Sequence, residues 1–384
     1  MNLRHFVCAL LLAMPCGAGA SPYAVLPVSI DGRALRFILD TGTGATAVVW
    51  SETAERLGLH AKFPDPRRPL TPGRMRAGES EPVEVHLLGQ QFKDVHLAVI
   101  ALPPYATPEF DGLIGWPAVR RDTWLFRLAE SRIILDRTVP AEARHWLRVR
   151  VVDSLDTLGL ELPLTGGGRR GVLLVDTGDT GGVKLAPDGW ARWRATHPKA
   201  PLTIDGFYSP GSGVIIRKEG LARSLALGPL TLTDVTVEKA DPTAIAMGGP
   251  DYLGSIGLQA LRRLNLVVDG AGNLAYLEPR RDQTGTIAYN RLGAVFVPEA
   301  GNARRLVARV APGTPAERAG IRDGDELVVI EHIHLDRDRP IPGGVIRRIR
   351  ELLQSPAGTR LHLVTRHGSV LRTSTVTLRE ILVP

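Results

Sequence analysis

The chain has 384 residues, too many for one small domain, and 44% hydrophobic with 23% charged residues is globular rather than disordered or fibrous composition. Its formal charge of +7 is uneven, because residues 291–384 alone hold 15 Arg against 10 Asp and Glu. These arginines are scattered and aromatic residues make up only 5% of the chain, so the charge reads as solvated surface and not as the clustered basic, aromatic-bearing stripe of a nucleic-acid binder.

The first twenty residues read as a secretory signal peptide. Arg4 gives a positive start, Phe6 to Met14 is a short apolar run, and Ala18-Gly19-Ala20 is a small-residue cleavage signal before Ser21. The run is too short to span a bilayer. A lipid anchor on Cys16 is disfavoured by Pro15, where a small residue is needed. Both cysteines, Cys8 and Cys16, lie in this segment, so the mature chain has no thiol for a disulfide or a metal. No other stretch suits a membrane helix. The expectation is a soluble exported protein, periplasmic or secreted, with no integral membrane segment.

An internal repeat organises residues 21–280. Phe37-Ile38-Leu39-Asp40-Thr41-Gly42 returns as Leu173-Leu174-Val175-Asp176-Thr177-Gly178, at an offset of about 136 residues. Further on, Leu113-Ile114-Gly115 returns as Ser255-Ile256-Gly257, Arg120-Arg121 as Arg262-Arg263, and Ile133-Ile134-Leu135 as Ala275-Tyr276-Leu277. Two elements in one order at near-constant spacing indicate a duplicated domain, with copies over 21–143 and 144–280. Short apolar runs between Gly, Pro and Asp clusters, such as Val95 to Ile100, Val172 to Val175 and Leu264 to Val268, predict strands. Short helices are predicted at Glu52 to Leu57 and from Pro117 to Arg121.

Each aspartate follows three apolar residues, so each reads as the end of a buried strand, where a carboxylate needs partners. Gly42 and Gly178 allow a tight turn whose N–H groups face the carboxylate. Two such turns face to face would place two carboxyl groups together, sharing one proton. One could act as base on a water while the other protonates a carbonyl.

In these residues the chain resembles the retropepsin-like aspartic proteases. The resemblance covers both copies and rests on the two apolar Asp-Thr-Gly segments and the later apolar Gly segments. It implies a mainly β, bilobal acid-protease-like fold built from two homologous lobes. It further implies catalysis by Asp40 and Asp176, supported by Thr41, Gly42, Thr43, Thr177 and Gly178, with the two threonines bracing the turns by crossing hydrogen bonds. A flap hairpin is implied between the motifs, at Gly73 to Pro82 and Phe207 to Gly213. With both turns on one chain, the site is expected in a monomer. One departure stands out: Asp179 follows the second motif, where Ser, Thr or Ala is usual. A third carboxylate there either pushes the pair's pKa values apart or points to solvent, and an inactive second lobe is one consequence to weigh.

Three rival motifs carry less. Gly178-Asp179-Thr180-Gly181-Gly182 is one residue from the nucleophile segment of trypsin-like proteases, but His60, His86 and His96 lack a suitable context and the copy at Asp40 stays unexplained. Gly42-Thr43-Gly44-Ala45-Thr46-Ala47 matches a dinucleotide fingerprint, yet the residues after it look like strand and not helix. His332-x-His334 has no third metal ligand nearby.

Residues 284–384 resemble a bacterial PDZ domain, a small α+β fold. The resemblance rests on Val310-Ala311-Pro312-Gly313-Thr314-Pro315-Ala316, then Ala319-Gly320-Ile321 and Gly324-Asp325-Glu326-Leu327. Val345 to Leu353 has helical spacing, ended by Ser355-Pro356. The resemblance implies that a peptide adds as a strand and that Leu292, Gly293, Ala294 and Val295 form the loop holding its terminal carboxylate. The sequence reading is therefore an exported aspartic endopeptidase with a peptide or protein substrate, no cofactor and no metal. A non-catalytic peptide-binding scaffold of the same fold is the alternative.

Overall fold

The structure is a computed structural model that describes residues 10–13, 23–65, 77–130, 132–164, 169–209, 213–241, 251–280, 287–299 and 302–383. Most of the expected signal segment, residues 73–76 of the first flap candidate and residues 210–212 of the second lie outside these. Among residues 1–20, Leu10–Ala13 is an edge strand paired antiparallel with Arg132–Asp136.

The chain is mainly β. Strands between Val25 and Gly115 form a seven-stranded sheet. Its central feature is the strand Arg33–Asp40, whose alternate residues Leu35, Phe37 and Leu39 enter the core while Asp40 ends it. Burying an aromatic or branched side chain contributes about 1.5–3 kcal/mol each, which fixes the strand's facing and thereby the position of Asp40. That strand runs parallel to Gly112–Gly115, with Asp40 opposite Gly115. Ala47–Trp50 lies on the other side of Gly112–Gly115, antiparallel to it.

The same local order recurs in the second copy. Arg170–Val175 runs parallel to Tyr252–Ile256, and Val183–Leu185 lies antiparallel beyond it. Helix α1 (Ser51–Leu57) and helix α2 (Trp116–Val119) fall at the two helices read from sequence. Helix α3 (Pro187–Thr196) was not anticipated, because it buries only Trp193 and so carries little apolar periodicity. Helix α4 (Leu258–Leu261) repeats α2 after the second Gly segment.

The two copies are stitched through one sheet. Thr123–Arg127 from the first copy pairs antiparallel with Leu264–Asp269 from the second, Phe126 opposite Leu266 and Leu125 opposite Val267. The partners Arg132–Asp136 and Leu274–Pro279 flank this pair on either side. The sequence repeats at Ile133–Leu135 and Ala275–Leu277 are thus matching strands of one sheet, placed symmetrically about its centre.

Residues 294–377 form a separate six-stranded sheet with its own apolar core. Helix α5 (Pro315–Arg318) has Pro at its first turn, and helix α6 (Gly343–Leu353) buries Ile349 and Leu353. Arg291 ties the start of this unit to its end, with Nε 2.9 Å from Glu380 and Nη1 2.9 Å from the carbonyl of Gln354. Among the described residues no helix is long and apolar enough to cross a membrane.

Candidate active site

The two Asp-Thr-Gly turns meet. Thr41 Oγ1 donates to the Val175 carbonyl at 2.6 Å, and Thr177 Oγ1 donates to the Leu39 carbonyl at 2.7 Å. The backbone N–H of each threonine donates to the other's hydroxyl, at 3.1 and 3.2 Å. Both threonines are buried, so these crossing bonds are shielded from water and hold the turns in one geometry.

Inside this brace, the Gly42 N–H donates to Asp40 Oδ1 at 2.9 Å and the Gly178 N–H to Asp176 Oδ1 at 3.0 Å. A Cβ on Gly42 would stand 2.7 Å from Asp176 Cγ, and one on Gly178 would stand 2.5 Å from Asp40 Cγ. Each glycine is therefore required by the carboxylate across from it. Gly115 is equally constrained, since a Cβ there would meet the Ala45 carbonyl at 2.0 Å. These contacts bring the Asp40 and Asp176 carboxyl groups side by side across the two turns.

The pair is not symmetric. Burial raises the pKa of Asp40, but the Thr43 hydroxyl, 2.6 Å from Oδ2, and the Gly42 N–H stabilise its charged form. Asp176 rises well above the ordinary carboxylate range, first through burial, then through the charges of Asp40 and Asp179. No hydroxyl equivalent to Thr43 serves it, because Asp179 holds that place. The structure thus favours a charged Asp40 beside a protonated Asp176.

Asp179 does not point to solvent. Its Oδ1 accepts from the Gly181 N–H at 3.0 Å, and its Oδ2 lies 2.9 Å from Lys184 Nζ, both side chains being largely buried. Burial opposes the Asp179 charge, yet Lys184 outweighs it and the pKa is lowered. Strand registers explain the arrangement. Val48 pairs with Ala98 in the first copy, and at the matching place Lys184 pairs with Glu238 in the second. Where the first copy has Thr43, Val48 and Ala98, the second has the charged set Asp179, Lys184 and Glu238. Arg217 extends it, reaching Glu238 at 2.5 Å and Asp241 at 2.7 Å, with its guanidinium 4.0 Å from the Phe207 ring centroid. Sequence reasoning missed Lys184, Arg217 and Glu238; the one available signal was Lys184 between two core residues of a short strand.

Burial pushes Glu238 up to about 7, against the pull of Arg217 and Lys184. A carboxylate raised on folding contributes stability that is full below its unfolded value and lost as pH rises through the folded value. The protein is therefore expected to melt lower at pH 8 than at pH 5, by up to about 3 kcal/mol from this group. Thermal melts of Glu238→Gln across that range should show a flatter profile; an unchanged slope would remove Glu238 as the cause.

The rival motifs can now be placed. Gly178 to Gly182 is the turn after Asp176, and among the described residues no histidine lines the cavity at Thr180 that a serine-protease-like site would need. Ala47–Trp50 after the dinucleotide-like run is a strand, and α1 begins only at Ser51. In the segment expected to hold a carboxylate, the N–H groups of Leu292 and Gly293 both donate to Asn290 Oδ1 at 3.0 Å. Ala294 and Val295 begin the strand Ala294–Glu299.

Residues 26–118 match the family model of the aspartyl proteases, and residues 306–366 match that of the PDZ domain. Among solved structures, the chain is similar to the aspartic proteinase from Irpex lacteus at 13% identity and a TM-score of 0.41, covering 73% of this chain and 98% of that one. No curated protein matches the chain. The chain is thus a mainly β protein in which the Asp-Thr-Gly turn occurs twice, with residues 26–118 similar to the aspartyl proteases and residues 306–366 similar to the PDZ domain.

Proposed function

We propose that the chain is an exported aspartic endopeptidase, active as a monomer after loss of residues 1–20, with Asp40 and Asp176 as its catalytic pair and a PDZ domain that engages peptide. The observation that supports this most directly is the pair itself: two part-buried carboxyl groups set side by side across the braced turns, each accepting from the N–H of its own turn glycine. A scaffold that only binds peptide has no use for two adjacent part-buried carboxyls, which are costly to keep.

In the proposed reaction, charged Asp40 takes a proton from a water as its oxygen attacks the scissile carbonyl carbon. Protonated Asp176 donates its proton to the carbonyl oxygen, giving a tetrahedral diol. Asp40 then passes its proton to the amide nitrogen, Asp176 recovers one from a diol hydroxyl, and the C–N bond breaks. The protein needs no covalent intermediate, and the proton inventory of the pair is restored.

The test is digestion of a peptide library by the mature protein from acid to neutral pH, over a wide dilution series. Cleavage blocked by a statine-type peptide inhibitor, with constant specific activity on dilution, is expected. Cleavage insensitive to that inhibitor would sink the aspartic reading, and activity lost on dilution would sink the monomer.

A further inference from the structure

The PDZ domain is packed against the catalytic cleft. A single cavity of about 940 Å3 runs from the turn at Gly178 and Asp179 to Val295, Val297, Ile349 and Arg350 of the PDZ domain. Helix α6 lines one side of it, with Arg350 paired to Asp205 of the second copy and Arg347 paired to Glu109 of the first. The strand Thr203–Ser209, which leads into the second flap candidate, lies on the PDZ strand Ala294–Glu299. Ile204 is buried with Val295, Val297, Val307 and Ala311.

Asn290 joins these parts and is itself buried. Its Oδ1 accepts from the N–H groups of Leu292 and Gly293. Its Nδ2 donates to the Ala294 carbonyl at 2.8 Å and to the Ile204 carbonyl at 2.9 Å. The Asn290 carbonyl accepts from Thr203 Oγ1 at 2.7 Å. Two adjacent N–H groups aimed at one acceptor are what a terminal carboxylate would use, and here the protein's own amide oxygen takes that place.

We propose that Asn290 is a latch coupling the PDZ loop to the flap strand: a peptide ending in a free carboxylate displaces Asn290 Oδ1 from the Leu292 and Gly293 N–H groups, and the turned side chain releases Ile204. A carboxylate forms stronger hydrogen bonds to N–H than an amide oxygen does, so the exchange is favourable at the loop. The cost falls on the strand Thr203–Ser209, which loses one of its ties to the PDZ domain, the bond from Asn290 Nδ2 to the Ile204 carbonyl, and so is held more loosely by the Thr203 hydroxyl bond, the Ile204 packing and the Asp205–Arg350 pair that remain. Linkage makes the effect reciprocal, so freeing the strand tightens peptide binding. That the released strand gates turnover rests on the peptidase reading above; the coupling itself does not.

The test uses the full mature chain and short peptides ending in valine, as free acids and as C-terminal amides. Hydrogen exchange at residues 203–209 should quicken about tenfold, the equivalent of one lost hydrogen bond, with the acids and not with the amides. Asn290→Ala should show the faster exchange without peptide and bind the acids more tightly. Asn290→Asp keeps an acceptor for the loop but loses the donor to Ile204, so it should free the strand and bind the acids weakly. Acids that bind with no change at 203–209, or no binding even by Asn290→Ala, would overturn the latch. Turnover of an amidated reporter peptide should rise severalfold with the acids; altered exchange with unaltered turnover would overturn the gate. Absence of turnover under every condition would count against the peptidase reading, while the exchange data still judge the latch.

Discussion

Asp40→Asn and Asp176→Asn are each expected to lower peptide turnover by about a thousandfold or more, because each removes one half of a proton exchange that needs both carboxyls. Neither should unfold the protein. An amide is nearly isosteric, can still accept from the Gly42 or Gly178 N–H, and carries no charge into a buried site. Burial and the neighbouring charges of Asp40 and Asp179 raise Asp176 far above its ordinary range, so its contribution to stability is full in acid and falls as pH rises through the raised value. Asp176→Asn is free of that loss. The variant should melt close to wild type in acid and above it at neutral pH, while a pH–activity profile of wild type should be a bell. If Asp40→Asn stayed active and Thr180→Ala were dead, the pair would not be the catalytic centre.

Lys184→Met should be the most destabilising single change near the site, by about 3–5 kcal/mol at neutral pH, since it strands a buried carboxylate without its cation. Asp179 is held below its ordinary pKa chiefly by Lys184 acting against burial, so the stability of this pair is present above the unfolded value of 3.8 and lost as pH falls. The deficit of Lys184→Met should therefore shrink in acid. Replacing both partners by the residues of the first copy, Asp179→Thr with Lys184→Val, should recover most of the loss, because Thr43 and Val48 fill the matching places there. Denaturant melts of the two single variants and the double variant decide this. A double variant as unstable as the sum of the singles would show that the pair is not coupled. The double variant would remove from Asp176 both the Asp179 charge that raises its pKa and the smaller opposing pull of Lys184, moving the alkaline limb of the activity bell only slightly toward acid.

Much of this molecule is legible as sequence because it is local and repeated. A strand that alternates into a core and ends in Asp-Thr-Gly dictates where the aspartate emerges, and its recurrence implies a second turn to meet the first. The Gly segments at 115 and 257, the helices at α1 and α2, and the tail domain's turns are likewise written in short windows. What the sequence could not decide depends on partners far apart in the chain. Lys184 reads as an exposed strand residue until parallel pairing places it beside Glu238, more than fifty residues away, and the folded turn places it on Asp179. The fate of the Leu292 to Val295 loop also required tertiary contact, because its N–H groups are claimed by Asn290, whose other bond reaches Ile204 across a domain boundary. Local periodicity specifies which face of a strand is buried; the neutralisation of a buried charge or the occupation of a loop is set by whichever distant group the packed fold brings within hydrogen-bonding distance.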